Sequence, residues 1–197
     1  MKKKVLIVIA HPDDEVIFFW WALQNLEWEC SVLCCSSDAY NPLRKKWAHR
    51  KNGLIQLCTH LGIQYKCLDY GSHFYELSGR DGSLAAFGHD VIDNIKRFDF
   101  DTISTHNRWG EYGNMDHVLI NYIISCEFKT MMVSDIFIPS EWSPHTSITG
   151  CAFVEGTMEF RNNLELYSRW KSFYADIRCW TWNKEPVISC RVKSFLA

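Results

Sequence analysis

Short apolar runs alternate along the chain with longer segments in which apolar and polar residues are mixed. Five of the runs predict buried strands, at 5–10, 31–36, 64–69, 101–105 and 134–138. The longer segments predict helices, at 16–26, 42–61, 83–98 and from residue 116 onwards. Because strands that alternate with helices usually form a parallel sheet, the pattern predicts a Rossmann-like α/β fold. We expect an open, mostly parallel five-stranded sheet with helices on both faces.

The pattern changes after Pro139. The later residues predict a strand or hairpin, then a helix, then a final strand, at 142–157, 162–175 and 187–192. A chain of 197 residues suits one sizeable domain and is short for two. We therefore expect a single domain over 1–197, with a core at 4–140 and a small C-terminal extension at 141–197.

The composition is that of an ordinary globular protein, with 47% apolar and 22% charged residues. The net charge is -2 and the pI is about 6.4, so the chain lacks the basic character typical of nucleic-acid-binding proteins. No stretch approaches the roughly 18 apolar residues of a membrane-spanning helix. The composition predicts neither a nucleic-acid partner nor a transmembrane segment.

The chain contains nine cysteines, an odd number, and no Cys-x-x-Cys pair. The lysines at 2–4 precede an apolar run, as in a signal peptide, but the run is short and ends in charged residues. We therefore expect reduced thiols and a cytoplasmic protein.

A cluster of ionisable residues follows the first predicted strand directly. It consists of an imidazole and three carboxylates, from His11, Asp13, Asp14 and Glu15. Such a cluster costs free energy unless a cation gathers it. A divalent metal would do so, with His11 and Asp14 as ligands and Asp13 as a base. The alternative is a turn and a helix start whose acidic residues complement the helix dipole, and both can hold at once.

A second polar segment, residues 105–117, follows the fourth predicted strand. In doubly wound sheets, ligands bind at the carboxyl ends of strands where the strand order reverses. His117 could therefore face His11 and Asp14. Two histidines and one aspartate are three protein ligands with an open position for water, as in catalytic zinc sites.

These two segments resemble the LmbE/PIG-L family of zinc-dependent N-deacetylases. The resemblance covers residues 4 to about 140 and depends on four motifs, Ala10-His11-Pro12-Asp13-Asp14-Glu15, Thr105-His106, Gly110-Glu111-Tyr112-Gly113 and Asp116-His117. It implies an amide hydrolase that removes an acetyl group from an N-acetylglucosamine-like sugar on a lipid, thiol, antibiotic or nucleotide aglycone. It also implies zinc on His11, Asp14 and His117, with Asp13 as general base. Iron or another divalent ion remains an alternative to zinc.

The chain departs from the family pattern at Asn114, where the family usually has a histidine. That histidine is thought to stabilise the oxyanion or to protonate the leaving amine. Asn114 can donate a hydrogen bond but cannot deliver a proton at neutral pH. Either Asp13 carries out both proton transfers, or His106 or His145 assists, or the activity is weakened.

Asp116 has no histidine at position 114 to orient. It could instead hold a metal ligand in place, or it could be the N-cap of the following helix. The sequence leaves both roles open, and we treat Asp116 and Asn114 as candidate catalytic residues.

Two further residues are candidates for substrate binding. Arg50 lies where the family commonly has an arginine that contacts substrate hydroxyls, although the glutamate that usually follows it by three is Gly53 here. The alternative for Arg50 is a solvated helix face. Trp109 could stack on a sugar ring or pack locally.

The sequence thus favours a zinc N-deacetylase that acts on a small-molecule amino-sugar conjugate. The alternative is a fold relative that binds a sugar or nucleotide sugar without turnover. A nucleotide-binding Rossmann domain is disfavoured, because the first strand is followed by acidic residues and by no Gly-x-Gly-x-x-Gly motif. A homo-oligomer is compatible with the sequence, which does not decide the oligomeric state.

Overall fold

The fold is taken from a computed structural model of the chain. The structure describes residues 1–37, 49–71, 73–74, 83–128, 130–134, 152–176, 180 and 186–196. Its strands are β1 Lys3–Ile9, β2 Trp28–Ser36, β3 Gln64–Tyr70, β4 Thr102–Thr105, β5 Thr130–Ser134, β6 Ala152–Arg161 and β7 Ser189–Leu196. Its helices are α1 Asp14–Ile17, α2 Trp20–Leu23, α3 Arg50–Leu61, α4 Ser83–Ile95, α5 Gly110–Gly113, α6 Met115–Glu127 and α7 Leu164–Ala175.

All seven strands belong to one sheet, in the order β3-β2-β1-β4-β5-β7-β6. Strands β1 to β5 are parallel, whereas β7 is antiparallel to both β5 and β6. The predicted α/β class and mostly parallel sheet are confirmed, but the prediction of five strands is wrong. The C-terminal residues contribute two strands to the sheet, because β7 pairs with the edge that β5 would otherwise leave open.

The predicted helix 16–26 is in fact two four-residue helices, α1 and α2, which are separated at Phe18 and Phe19. The two phenylalanines and the two tryptophans that follow them are all buried. In one continuous helix these four successive side chains would point to nearly all sides. The break allows all four aromatic side chains to enter the core.

Other boundaries differ from the predicted ones. The fifth strand lies at Thr130–Ser134 instead of 134–138, and residues 135–138 lie outside the described residues. Helix α3 begins at Arg50, while the first part of the predicted helix 42–61 lies outside the described part of the chain. Its end is as predicted, because Gly62 forms the C-cap with a φ of 65°.

Side chains of β1 alternate between two hydrophobic core clusters, one on each face of the sheet. Val5, Ile7 and Ile9 pack with residues of α1, α2, α3 and α7. Leu6 and Val8 pack with residues of α4 and α6. Helices therefore cover both faces, as predicted, and β1 is the middle one of the five parallel strands, whose carboxyl ends share one edge of the sheet.

Candidate metal centre

The two polar segments lie next to each other, because β1 and β4 are neighbouring parallel strands. His11 follows β1 closely, Asp14 is the first residue of α1, and His117 lies in the first turn of α6. The structure brings these three predicted ligands together although His11 and His117 are 106 positions apart. None of the three is more than 6% exposed.

Their ligand atoms form a nearly equilateral triangle. The Nδ1 atom of His11 lies 3.3 Å from Nε2 of His117 and 3.5 Å from Oδ2 of Asp14, and the third side is 3.4 Å. Zinc bonds of about 2.0–2.1 Å in a tetrahedron place neighbouring ligand atoms about 3.3–3.4 Å apart. The spacing and the donor types therefore fit one divalent ion of the size of Zn²⁺.

A carboxylate lies behind each of the two histidines. Nε2 of His11 lies 2.9 Å from Oδ2 of Asp116, and Nδ1 of His117 lies 2.7 Å from Oε2 of Glu111. If each histidine donates its N–H to the carboxylate behind it, the nitrogen that faces the triangle is free to bind a cation. Carboxylates that orient histidine ligands in this way are typical of zinc sites.

Asp116 does not cap helix α6. The N-cap is Asn114, whose side chain accepts a hydrogen bond from the backbone N–H of Asp116 at 2.9 Å. The Asp116 carboxylate also accepts the backbone N–H of His73 at 2.7 Å. Of the two roles that the sequence leaves open, the contacts of Asp116 favour support of His11.

The sequence analysis named Glu111 in a family motif but assigned it no role in the site. Its carboxylate is buried and accepts the backbone N–H of Asn107 at 3.0 Å, in addition to its contact with His117. Burial alone would raise the pKa of this carboxyl, but the imidazoles of His106 and His117 outweigh burial and lower it to about 2. The sequence signal for Glu111 is its place in the Gly110-Glu111-Tyr112-Gly113 motif, next to a predicted ligand.

His106 is also fully buried and is engaged through both ring nitrogens. The backbone N–H of Ala10 donates to its Nε2 at 3.0 Å, so its Nδ1–H faces Glu111 Oε2 at 3.1 Å. Its ring stacks on that of His117, with the centroids 3.7 Å apart. These contacts give His106 a supporting position behind His117. His145, the other histidine considered as an assistant, lies outside the described residues.

Asp13, the predicted base, is fully buried, and its carboxylate forms an ion pair with the guanidinium of Arg50. Arg50 is only 6% exposed, so the alternative of a solvated helix face is wrong. The backbone of Asp13 has a φ of 93°, a conformation that costs a non-glycine residue roughly 1–3 kcal/mol. The surrounding contacts must therefore hold Asp13 in place.

Negative charge dominates the buried part of this site. It contains five buried carboxyl groups, from Asp13, Asp14, Glu15, Glu111 and Asp116, and Arg50 is the only buried lysine or arginine among the described residues. Burial raises the pKa of the Glu15 carboxyl to about 8, which still leaves four carboxylates against one guanidinium. A divalent cation would offset most of this excess.

The same excess of negative charge affects the pKa of His11. Burial alone would lower the pKa of His11, but the hydrogen bonds with Asp116 and Asp14 outweigh it and raise the pKa to about 10. The pocket therefore favours a positive charge at this position, which a proton or a metal ion can supply.

The remaining candidates lie near the rim of the site. Trp109 is partly buried and packs against Arg108, whose guanidinium carbon is 4.5 Å from the ring centroid, which fits the local-packing alternative. Tyr112 was not singled out by the sequence analysis; it is 52% exposed, and its ring centroid is 5.7 Å from that of His117. The side-chain amide of Asn114 donates to the Tyr112 hydroxyl at 3.1 Å.

Fold and site together define an α/β domain with a buried His–Asp–His group that could hold a metal ion at the carboxyl edge of its sheet. Residues 6–126, more than half of the chain, match the model of the family described as PIG-L: GlcNAc-PI de-N-acetylase, and the chain belongs to this family. The resemblance inferred from the sequence motifs is thereby confirmed.

Two solved structures share the fold. The deacetylase Dbv21, which acts on the pseudoaglycone of the antimicrobial A40926, has a TM-score of 0.64 at 13% identity, with 100% of this chain and 98% of that chain covered. A triple mutant of a deacetylase from the teicoplanin biosynthetic pathway has a TM-score of 0.61 at 12% identity, with 98% of both chains covered.

Among curated proteins, the uncharacterized protein L374 of Acanthamoeba polyphaga mimivirus is 26% identical over 133 residues. The match covers 62% of this chain and 57% of the length of L374.

Within the described residues, no helix has both the length and the apolar character needed to cross a membrane.

Proposed function

We propose that this protein is a metal-dependent N-deacetylase that removes the acetyl group from an N-acetylglucosamine-like amino sugar carried on a small-molecule conjugate. The observation that carries the proposal is the triangle of His11, Asp14 and His117 with the buried Asp13 beside it. Membership of a family described as a GlcNAc-PI de-N-acetylase and the deacetylase activity of both similar structures support the same chemistry.

His11, Asp14 and His117 would hold the ion, Zn²⁺ or another divalent metal. When bound, such an ion polarises an amide carbonyl and lowers the pKa of a water ligand towards about 7. This chemistry suits an amide, which is a poor electrophile.

The residues of the chain supply the proton transfers and the geometry. Asp13 accepts the proton of the attacking water and then passes it to the nitrogen of the leaving amine as the C–N bond breaks. General base catalysis of this kind is typically worth about 10²–10⁴-fold. Arg50 holds the Asp13 carboxylate through their ion pair. Glu111 and Asp116 hold the two histidines in the orientation that metal binding requires.

Asn114 and the rim residues would contact the substrate. The Asn114 amide can donate to the developing oxyanion, although in this structure it donates to Tyr112. We further propose a cytoplasmic location, which accords with the free thiols of six described cysteines, Cys30, Cys34, Cys35, Cys58, Cys67 and Cys126.

The test is acetate release from a panel of N-acetylglucosamine conjugates with lipid, thiol, glycopeptide and nucleotide aglycones, together with metal analysis of the purified chain. A deacetylase releases acetate and a free amine in equal amounts, and a chelator abolishes this release. The second candidate function, sugar binding without turnover, is motivated by Asn114 in place of a histidine. It predicts saturable binding of the same conjugates with no acetate release.

A further inference from the structure

Helix α7 lies beyond residues 6–126, the part of the chain that matches the family model, yet it contributes a side chain to the site. Tyr174, near the end of this helix, is fully buried. Its hydroxyl donates a hydrogen bond to Oε1 of Glu15, a residue that follows the ligand Asp14 directly. The C-terminal part of the chain therefore reaches the loop that carries the predicted base.

Position 53 in α3 makes room for this contact. A Cβ atom on Gly53 would overlap the ring of Tyr174, with a distance of 2.8 Å to Cγ. Arg50 lies three residues earlier, so both positions are on the same side of α3. The helix thus presents Arg50 to the Asp13 carboxylate and the bare backbone of Gly53 to the ring of Tyr174.

Glu15 connects Tyr174 to Asp13. Its second oxygen, Oε2, accepts the backbone N–H of Asp13 at 3.0 Å. Asp13 has a φ of 93°, which L residues rarely adopt, so this conformation depends on the contacts that surround it. The hydrogen bond from Tyr174 fixes one oxygen of the Glu15 side chain. The other oxygen is then in position to accept the backbone N–H of Asp13.

We propose that Tyr174 is a positioning residue for deacetylation, which acts through Glu15 to keep Asp13 in the conformation that pairs its carboxylate with Arg50. This inference rests on the proposed function, in which Asp13 is the general base. It assigns a catalytic contribution to a helix outside the family-matched region and explains why a side chain is excluded at position 53.

The main variant is Tyr174→Phe, which keeps the ring and removes only the hydroxyl. We expect kcat to fall about 10-fold, the scale of a lost buried hydrogen bond, with KM within about twofold. Metal content should stay at that of the wild type. Hydrogen exchange of the Asp13 amide should accelerate by a similar factor relative to the Val8 amide of β1, which corrects for any general loss of stability.

Tyr70→Phe is the matched control, because the Tyr70 hydroxyl also donates to a carboxylate, that of Asp90 at 3.0 Å, on another helix. It should leave both kcat and the exchange rate of the Asp13 amide unchanged. Glu15→Gln is the second variant, because it replaces one of the two acceptor oxygens with an NH2 group, which cannot accept from the Asp13 N–H or the Tyr174 hydroxyl. If the two side chains act as a unit, the double variant should be scarcely slower than the slower single variant.

The outcomes separate this inference from the proposed function. Faster Asp13 exchange with a selective loss of kcat supports the positioning role. Unchanged Asp13 exchange, unchanged kcat, or an equal loss in Tyr70→Phe overturns it. If the wild type releases no acetate from any conjugate, the proposed function fails and the catalytic part of the inference falls with it. The Asp13 exchange then tests the structural link by itself.

Discussion

The Nδ1 atom of His117 lies 2.7 Å from Oε2 of Glu111, whose backbone has a φ of 57° within the short, kinked helix α5. The strained conformation brings the carboxylate behind a histidine in the first turn of the next helix. This contact motivates a specific prediction for Glu111, because a histidine ligand must present a deprotonated nitrogen to the metal and a proton to its other partner.

Glu111→Gln should therefore weaken metal affinity or activity by about 10–100-fold. Glutamine retains the size of the side chain but replaces a charged acceptor with a neutral amide. Metal affinity is measured by competition with a chelator. The control is Glu127→Gln, at the end of α6 that is far from His117, and it should behave as the wild type. An affinity and rate equal to those of the wild type in Glu111→Gln would rule out this supporting role.

Metal binding itself is tested at His11. The purified chain should hold about one divalent ion, and His11→Ala should lose it, because two ligands seldom retain zinc. At a concentration of 100 times its Kd, Zn²⁺ should stabilise the wild type by about 2.7 kcal/mol and so raise its Tm. The Tm of the variant should not change. His89→Ala, an exposed histidine on α4, is the control. Full metal content in His11→Ala would show that the ligand assignment is wrong.

The neighbouring aspartates should separate into base and ligand. Asp13→Asn should keep the metal and lower kcat by roughly 10² or more, since asparagine cannot accept the proton. Asp14→Asn should lose metal affinity first. Because Asp13→Asn also leaves the buried Arg50 with a neutral partner, unfolding must be measured alongside the rate. Equal metal loss in both variants would contradict the assignment.

Asn114 combines a structural contact with a predicted catalytic one, and two substitutions separate them. Asn114→Ala removes the N-cap and should cost about 0.5–2 kcal/mol of stability. Asn114→Ser retains a capping oxygen but lacks the amide donor, so it should remain stable and lose about 10²–10³ in rate if that donor binds the oxyanion. A fully active Asn114→Ser would limit Asn114 to its helix cap.

Asn114→His would restore the histidine that is usual in the family and should raise the rate or shift its pH optimum. The measurement is a pH–rate profile on one N-acetyl sugar conjugate, with wild type and Asn114→Ser alongside. Superimposable profiles for the three proteins would mean that position 114 does not face the reacting amide.

The sequence by itself determined the class of fold and predicted the three candidate ligands that the structure brings together. The run that forms β1 is short, apolar and followed at once by His11 and Asp14, and local patterns of this kind do not depend on distant contacts. The parallel strand order then requires the segment after β4 to meet the segment after β1, so the proximity of His117 could be predicted as well.

Only the tertiary structure decided the rest. The number of strands depends on β7 pairing with β5, a long-range contact that the apolar pattern of the tail does not specify. The roles proposed for Glu111, Arg50 and Tyr174 depend on partners that are brought close by packing: His117, Asp13 and Glu15. A buried charge is defined by its neighbours in space, and a linear pattern of residues does not specify which neighbours those are.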